Sequence, residues 1–514
     1  MKHLDASRRL FLRRAGALSS LGMAGGPLAL NLAAMGSAAA QTAGDYKAIV
    51  CIFLYGGNDS INMVLPTDTD SWTNYTNVRR QSPDSIALLA PGTAKSGGNG
   101  TRPEQLGGVL ALNPANAQGR SFALHPTMTG AQALFNTDRR LAILPSVGPL
   151  VMPTTKAQYA QRSHPKPQNL FSHNDQQNTW QSFRPEGATQ GWGGRMVDLL
   201  MSMNGQPVFS SISTSGNAVW LSGESVRQYQ VGSNGAIRMG TDGSGRIFGA
   251  TGVGEAMQRI VSGTRGGHVL EADLAAVSKR SLDAETTLRS ALKPASDMLF
   301  GTAPGSGSYN ASNDPLLRYA DPDGGTAFNS LAQQLQVVAR MIDASGASGI
   351  GAKRQVFMVS MGGFDTHDNQ NRSHAELMAK LSHALRYFDD TLGRMGARNS
   401  VVTFTASDFG RTFTSNGDGT DHGWGAHHFV MGGAVKGGDL YGAFPVLGAK
   451  NANNNNFDSS PNQLGNGALL PGTSVDQLGA TLGRWFGLSD GQLLDVFPNL
   501  KNFDASQRNL GFMA

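Results

Sequence analysis

Residues 401–428 have the sequence VVTFTASDFGRTFTSNGDGTDHGWGAHH, an apolar run of strand length followed by a polar, glycine-rich segment that predicts a loop. That segment is dense in carboxylates and imidazoles, namely Asp408, Asp418, Asp421, His422, His427 and His428. Divalent ions bind these two kinds of group, and a catalytic ion keeps one position open for water or substrate. The stretch therefore predicts a strand that ends at a metal site, with His427 preferred over its neighbour because adjacent side chains seldom face one ion.

A second stretch also has an apolar run followed by carboxylates and an imidazole. The apolar residues 355–360 are followed at 361–370 by MGGFDTHDNQ. In an extended segment, side chains two positions apart point the same way, so Asp365 and His367 can reach one ion together. The two stretches predict one shared metal site.

The order of strand and helix patterns predicts an α/β fold. Strand-like runs occur at 46–54, 141–145, 355–360 and 401–405, and helical periodicity occurs at 328–342, 374–395 and 270–292. Because polar residues follow the strand ends, we expect a doubly wound, mostly parallel sheet that carries its site at the carboxyl edge. The Ser- and Gly-rich residues 205–254 predict a cap or a β-rich insertion in that single domain.

The N-terminus predicts export. Ser7 is followed by the twin arginine Arg8 and Arg9, then by a weakly apolar segment that ends in an A-x-A cleavage pattern at residues 38–40. We predict a cleaved twin-arginine signal at 1–40, a mature domain at 41–514, the twin-arginine translocation machinery as a partner, and a periplasmic or secreted location. Residues 24–40 are too rich in small side chains for a good spanning helix, so no stable membrane span is expected after processing.

The net charge argues against a nucleic-acid-binding protein, and the cysteine count argues against a disulfide-stabilised one. Most of the net charge of +5 comes from the predicted leader, so nucleic-acid binding has no support. Cys51 is the only cysteine, which rules out an internal disulfide, and its apolar surroundings predict a buried structural thiol.

Three further residues are candidates for the site. Asp59 follows the first strand in YGGNDS and is either a metal carboxylate or a turn residue. Ser172 begins the helical pattern 172–182 and is either its N-cap or a nucleophile near the positive end of the helix dipole. Arg411 follows Asp408 closely, and its role is either to hold an anionic oxygen or to form a structural ion pair.

The motifs also resemble a known family. LYGGNDSIN, FSHNDQQNTW, GFDTHDNQ, SDFGRT followed by DHGWGAHH, and DQLGATLGRWFGL occur in this order in the chain. They resemble the exported bacterial proteins grouped as domain of unknown function 1501. That family is in turn similar to the alkaline phosphatase and sulfatase superfamily, whose three-layer α/β fold holds one or two divalent ions beside a Ser, Thr or modified Cys nucleophile.

The resemblance implies roles for individual residues. It implies metal ligation by Asp59, Asp365, His367, Asp408 and either His422 or His427, with Ser172 as the nucleophile. Phe409 stands where a histidine ligand is expected, so His422, His427 or His428 would have to replace it. The sulfatase maturation pattern is missing, since Ser163-His-Pro-Lys-Pro167 lacks the closing Arg.

The sequence therefore predicts an exported metal-dependent hydrolase that acts on a small anionic phosphate or sulfate ester through a metal-activated Ser or water. Zinc, calcium, magnesium and manganese remain open as the ion. The main alternative is a non-catalytic, metal-stabilised envelope binding or assembly protein on the same fold. A serine hydrolase built on Val359-Ser-Met-Gly362 is disfavoured, because Met358 occupies the first Gly position of the nucleophile elbow.

Overall fold

A nine-stranded mixed sheet organises the computed structural model, which describes residues 45–233, 235–236, 246–247, 249–263 and 269–514. The strands in chain order are β1 (Lys47–Leu54), β2 (Val64–Pro66), β3 (Leu110–Leu112), β4 (Phe122–Leu124), β5 (Leu141–Gly148), β6 (Ser211–Ser213), β7 (Tyr229–Gly232), β8 (Gly235–Ala236), β9 (Arg318–Ala320), β10 (Thr326–Phe328), β11 (Arg354–Met361), β12 (Val401–Ser407), β13 (Arg411–Ser415), β14 (Thr420–His422), β15 (Ala426–Gly432) and β16 (Thr473–Ser474).

The α-helices in chain order are α1 (Ser60–Met63), α2 (Thr69–Arg79), α3 (Pro103–Leu106), α4 (Thr129–Asn136), α5 (Lys156–Tyr159), α6 (His173–Ser182), α7 (Trp192–Leu200), α8 (Val253–Ser262), α9 (Val269–Ala291), α10 (Ser330–Asp343), α11 (Gln370–Arg394), α12 (Val475–Phe486) and α13 (Asp490–Val496).

The central sheet has the strand order β16-β5-β15-β12-β1-β11-β6-β7-β8. Strand β1 pairs in parallel with both β11 and β12, and β6 pairs in parallel with β11 and β7. Only β15 and β8 run against their neighbours. The prediction of a mostly parallel α/β sheet is therefore confirmed.

Helices cover both faces of the sheet. Alternate residues of β1, such as Ile49 and Phe53, lie in one core cluster with Trp192 of α7 and Leu478 of α12. Helices α4, α10 and α11 pack on one another in a separate layer, and α10 contacts β11 from that layer. Cys51 is a buried free thiol, as expected. The core thus lies on both sides of strands that are buried along their length, which explains their continuous apolar runs.

The predicted loop through residue 428 is wrong. After β12 the chain forms the antiparallel pair β13 and β14, and then β15, which inserts between β12 and β5. Every residue of β15 is buried. Because the strand contains two adjacent histidines, its apolar pattern is interrupted in the sequence, and pairing with distant strands determines its structure instead.

The remaining predictions concern the internal insertion, the domain boundaries and the export signal. The described part of residues 205–254 includes β6, β7 and β8, which extend one edge of the sheet. Residues Lys47–Ala514 form one compact unit. The predicted export signal at 1–40 lies outside the described residues. In the described ranges, none of the helices combines the length and apolar character required to cross a bilayer.

Candidate metal centre

Three histidines and one aspartate converge beside the carboxyl ends of β11 and β12. His173 is the first residue of α6, Asp365 and His367 follow β11, and His422 ends β14. Single ligand atoms of His173, Asp365 and His422 all lie within 4.8 Å of one another. The Nε2 atom of His367 lies 3.2 Å from Asp365 Oδ1 and 2.9 Å from His422 Nε2. We call these four residues the His–Asp cluster.

The other nitrogen of each histidine ring is held from outside the cluster. His173 Nδ1 lies 2.6 Å from Asp408 Oδ2, and His367 Nδ1 lies 3.2 Å from Asp421 Oδ1. His422 Nδ1 lies 2.7 Å from the carbonyl oxygen of Phe171. Because these partners accept hydrogen bonds, they assign the proton of each neutral ring to Nδ1 and leave the Nε2 lone pair facing the cluster.

This arrangement fits a cation. Two Nε2 lone pairs at 2.9 Å repel unless a proton or a positive ion lies between them. The Nε2 atom of His173 is buried without a hydrogen-bond partner. Metal-binding histidines have this outer support, in which a carboxylate or carbonyl fixes the tautomer and the direction of the ring. The donor set therefore fits a divalent metal ion.

Arg411 fixes the carboxylate of the cluster. Both of its terminal nitrogens donate to Asp365 Oδ1, at 3.1 and 2.6 Å. The guanidinium is fully buried and also donates to the carbonyl oxygens of Thr420 and Gly56. Burial lowers the pKa of Arg411, and the charge of Asp365 opposes that effect. Arg411 thus holds Asp365 in place through an ion pair, and its other predicted role, binding an anionic oxygen, stays a prediction.

Gly56 brings the loop after β1 against the same centre. Its N–H donates to Asp408 Oδ2 at 3.2 Å, while its carbonyl accepts from Arg411. Its φ is +116°, and a Cβ atom at this position would lie 2.4 Å from the backbone nitrogen of Asp365. Only glycine allows this approach, so Gly56 connects the two residues that support the cluster.

The pKa shifts follow from these contacts. The hydrogen bond to Asp408 raises the pKa of His173 above its usual value, although burial acts in the opposite direction. Burial lowers the pKa of His422, and the nearby charges of His173 and Arg411 lower it further. His422 is therefore a neutral imidazole at neutral pH, which is the form that binds metal ions.

One side of the cluster is open. The side chains of Asp365 and His367 are 49% and 43% exposed, whereas those of Asp408 and Arg411 are fully buried. Asp408 and Arg411 thus support the cluster from the protein interior, whereas Asp365, His367 and Asp421, which is 52% exposed, lie toward solvent. A substrate or a water molecule can reach the cluster from that side.

The structure brings together part of the predicted site. Asp365, His367 and His422 lie in one cluster, as expected from the two loop sequences. Asp408 contacts the cluster through His173. The sequence left open whether His173 joins the site, and the structure places it in the cluster. The available signal was the spacing of His173 and Gln177, which lie one turn apart and both bond Asp408.

Asp59 and His427 lie elsewhere. Asp59 is buried in an ion pair with Arg79, and Gln370 also donates to it. His427 is buried in β15, where its Nδ1 accepts from the backbone of Ser146. Neither residue is in the group of mutually close ligand atoms found among the described residues.

Ser172 precedes the cluster residue His173 in the chain, but its hydroxyl bonds a residue outside the cluster. Its hydroxyl donates to Asp175 Oδ2 at 2.9 Å. The residue occupies the N-cap position of α6, but its side chain makes no capping hydrogen bond to the helix backbone. Of its two neighbours, His173 belongs to the cluster, and the carbonyl oxygen of Phe171 accepts from His422.

Comparisons with known proteins agree with the family resemblance. The family model described as "Protein of unknown function (DUF1501)" matches residues 318–497, a range that contains Asp365, His367 and His422. The family expected from the motifs is therefore confirmed over that range. No curated protein is similar enough in sequence to match this chain.

Two solved structures show distant likeness. One comes from work on the metabolism of multiple glycosaminoglycans by Bacteroides thetaiotaomicron; it is 11% identical, has a TM-score of 0.30, and the match covers 87% of this chain and 74% of that one. The other is Ps i-CgsB, at 8% identity and a TM-score of 0.28, with 89% and 77% covered. Likeness at these TM-scores carries no argument about activity.

Proposed function

We propose that this chain is an exported metal-dependent hydrolase that acts on phosphate or sulfate esters. One observation carries the proposal: ligand atoms of His173, Asp365 and His422 lie within 4.8 Å of one another, His367 Nε2 contacts two of these residues, and each imidazole is held by an outer acceptor. Structural ion sites are closed, whereas catalytic sites keep a position for water or substrate. Half-exposed Asp365 and His367 provide such an opening.

The donor set favours one class of ion. His173, His367 and His422 would each supply a neutral nitrogen, and Asp365 would supply an oxygen. Imidazole suits zinc and other transition metals, while calcium and magnesium prefer sites made of oxygen. Zinc is therefore the first ion to test, with manganese next. When bound, such an ion supplies Lewis-acid polarisation of an ester oxygen and lowers the pKa of water.

Other residues of the chain would orient the groups that bind the ion. Asp408, Asp421 and the carbonyl of Phe171 hold the proton of each imidazole at Nδ1, so that the free lone pairs stay directed at the cluster. Arg411 keeps Asp365 from rotating. We assign the nucleophile to water, because the hydroxyl of Ser172 is committed to Asp175.

The experiment is a comparison of metal content and turnover in the exported, processed protein. Wild type and Asp365→Ala are loaded with Zn²⁺, dialysed and assayed with p-nitrophenyl phosphate and p-nitrophenyl sulfate. We expect stoichiometric zinc and hydrolysis of at least one ester in the wild type, loss of both in the variant, and loss of turnover after chelation. A well-folded wild type that binds no divalent ion contradicts the proposal.

The second candidate is the non-catalytic, metal-stabilised envelope binding or assembly protein. The hydrogen bond from Ser172 to Asp175 favours it, since no side-chain hydroxyl is left free at the start of α6. This candidate predicts that the ion raises the melting temperature while neither ester is hydrolysed. Zinc-loaded wild type without turnover would therefore select it.

A further inference from the structure

We infer that Asp408 serves the His–Asp cluster as a positioning residue that acts through His173, and that His173 supplies the imidazole that is missing at position 409. This inference rests on the metal site of the proposed function. It gives Asp408 a role different from the metal ligand that the family resemblance implies.

One oxygen of Asp408 is already fully used. Oδ2 accepts from the Gly56 N–H at 3.2 Å, from His173 Nδ1 at 2.6 Å and from Gln177 Nε2 at 2.9 Å. Three donors converge on this oxygen and occupy its lone pairs. The other oxygen, Oδ1, is buried without a hydrogen-bond partner, so the experiment below also tests Asp408 as a direct ligand. Asp408 and His367 both lie outside the group of ligand atoms that are within 4.8 Å of one another in the described ranges, but His367 Nε2 contacts His422 Nε2 at 2.9 Å.

Helix α6 is attached to the sheet by this contact. His173 and Gln177 are four positions apart, so they lie on the same face of the helix, and both bond the buried carboxylate that follows β12. The carboxylate therefore sets the position of the first turn of α6 and the direction of the His173 ring. The free Nε2 of that ring faces Asp365 Oδ2 at 3.5 Å.

Phe409 explains why the imidazole comes from α6. Its buried ring lies 4.8 Å from the ring of His173 and 4.7 Å from that of His422, measured between centroids. It packs as an apolar wall beside both ligands and offers no lone pair. His173, from a distant segment, thus provides the imidazole expected next to Asp408 in the chain. The hydrogen bond to Asp408 holds the ring of His173 beside that of His422.

The test is a double-mutant cycle on zinc affinity. The dissociation constant for Zn²⁺ is measured by competition with a chromophoric chelator for wild type, His173→Ala, Asp408→Asn and the double variant. We expect Asp408→Asn to weaken binding about 10- to 100-fold while one equivalent still binds at saturation. In the His173→Ala background the same change should have no further effect, because the residue through which Asp408 acts is gone.

Two results would overturn the inference. One is loss of stoichiometric zinc in a folded Asp408→Asn protein, and the other is an additive effect of the two substitutions, since both are the behaviour of an independent ligand. Gln177→Leu is the matched control, because it removes a different partner of the same oxygen. Folding of each variant is checked by circular dichroism.

Wild type and His173→Ala give a second measurement if Asp408→Asn does not fold. Zinc K-edge X-ray absorption counts the bound imidazoles, and we expect three in wild type and two in His173→Ala. The same count in both proteins would exclude His173 as a ligand. A wild type without zinc would refute the proposed function itself, whereas zinc binding with an additive cycle refutes only the role of Asp408.

Discussion

The Nε2 atoms of His367 and His422 face each other at 2.9 Å, although the two residues lie 55 positions apart in the chain. The ring of His367 comes from the loop after β11, and that of His422 comes from the end of a two-stranded ribbon. Each ring is fixed by its own acceptor, so neither turns away to relieve the contact. The contact requires a shared proton or a cation between the two nitrogens.

Removal of either ring should abolish tight metal binding. We expect His367→Ala and His422→Ala to weaken Zn²⁺ binding by more than the ~10- to 100-fold that is typical of outer supporting groups. Chelator competition measures the effect. His164→Ala is the control, because His164 bonds Thr154 outside the cluster. Equal affinity in the three variants would show that the facing pair holds no ion.

Arg411→Met should affect both stability and metal affinity. The substitution frees Asp365 and leaves the carbonyl oxygens of Thr420 and Gly56 without their buried donor. The contact with Thr420 is the fully buried one of the two, and an unsatisfied buried group costs about 1–3 kcal/mol, so we expect the free energy of unfolding to fall by about that amount. Zinc affinity should fall as well, since the carboxylate loses its orientation. Denaturant titration and chelator competition measure these effects, with the exposed Arg372→Met as control.

Breaking the buried ion pair of Asp59 and Arg79 should lower the free energy of unfolding and leave the zinc stoichiometry unchanged. Burial alone would raise the pKa of Asp59, but the charge and hydrogen bonds of Arg79 lower it overall. Arg79→Met leaves a buried charge without its partner and should cost about 3–5 kcal/mol. Zinc stoichiometry, measured by elemental analysis, should stay that of wild type. A loss of zinc in folded Arg79→Met or Asp59→Asn would place Asp59 at the metal site after all.

Acid should destabilise the fold through the histidines of β15. Burial lowers the pKa of both His427 and His428 to about 3. Below pH 6.5 the unfolded chain binds protons that the folded chain does not, so stability falls as the pH drops from 6.5 toward 3. Each histidine should contribute up to about 1.4 kcal/mol per pH unit in that window.

The check is the pH dependence of urea unfolding for wild type and His428→Gln, both in chelator to suppress metal binding. The variant should show a shallower loss of stability between pH 6 and pH 4. Identical slopes would mean that His428 is protonated in the folded state. His164→Gln serves as a control, because His164 is a partly buried loop residue that bonds Thr154 outside the sheet.

Ser172→Ala should preserve the activity. The hydroxyl donates to Asp175, which also accepts from the backbone of Glu186, so its loss removes one local hydrogen bond. We expect turnover within roughly threefold of wild type and an unchanged zinc affinity, because the hydroxyl bonds Asp175 and not the cluster; the lost hydrogen bond to a carboxylate should cost about 1.5–3 kcal/mol of stability. A loss of several orders of magnitude with zinc retained would restore Ser172 as the nucleophile.

The sequence predicts the sheet better than the site. Strands β1, β11 and β12 are buried on both faces, so their apolar runs are continuous and easily found. Asp365 and His367 were placed correctly because each follows a strand end. By contrast, β15 sends His428 toward Trp180 and His427 toward Phe444, on opposite faces of the sheet. That outcome depends on pairing with β5 and β12, which local sequence does not encode.

His173 could not be assigned from periodicity either, because its role depends on a carboxylate 235 positions away. The direction of a side chain at a helix start is set by its partner. Asp408 provides that partner only after β12 has joined the sheet.

The cluster also ties the chain together over a long distance. Phe171 and His422 lie 251 positions apart, yet one hydrogen bond joins them at the metal centre. An ion held between His173 and His422 would close a loop of nearly that length, and a thousandfold excess over its dissociation constant would stabilise the fold by about 4 kcal/mol. Since His422 follows β1, β11 and β12 in the chain, the ion can be retained only after all three of these central strands have been synthesised.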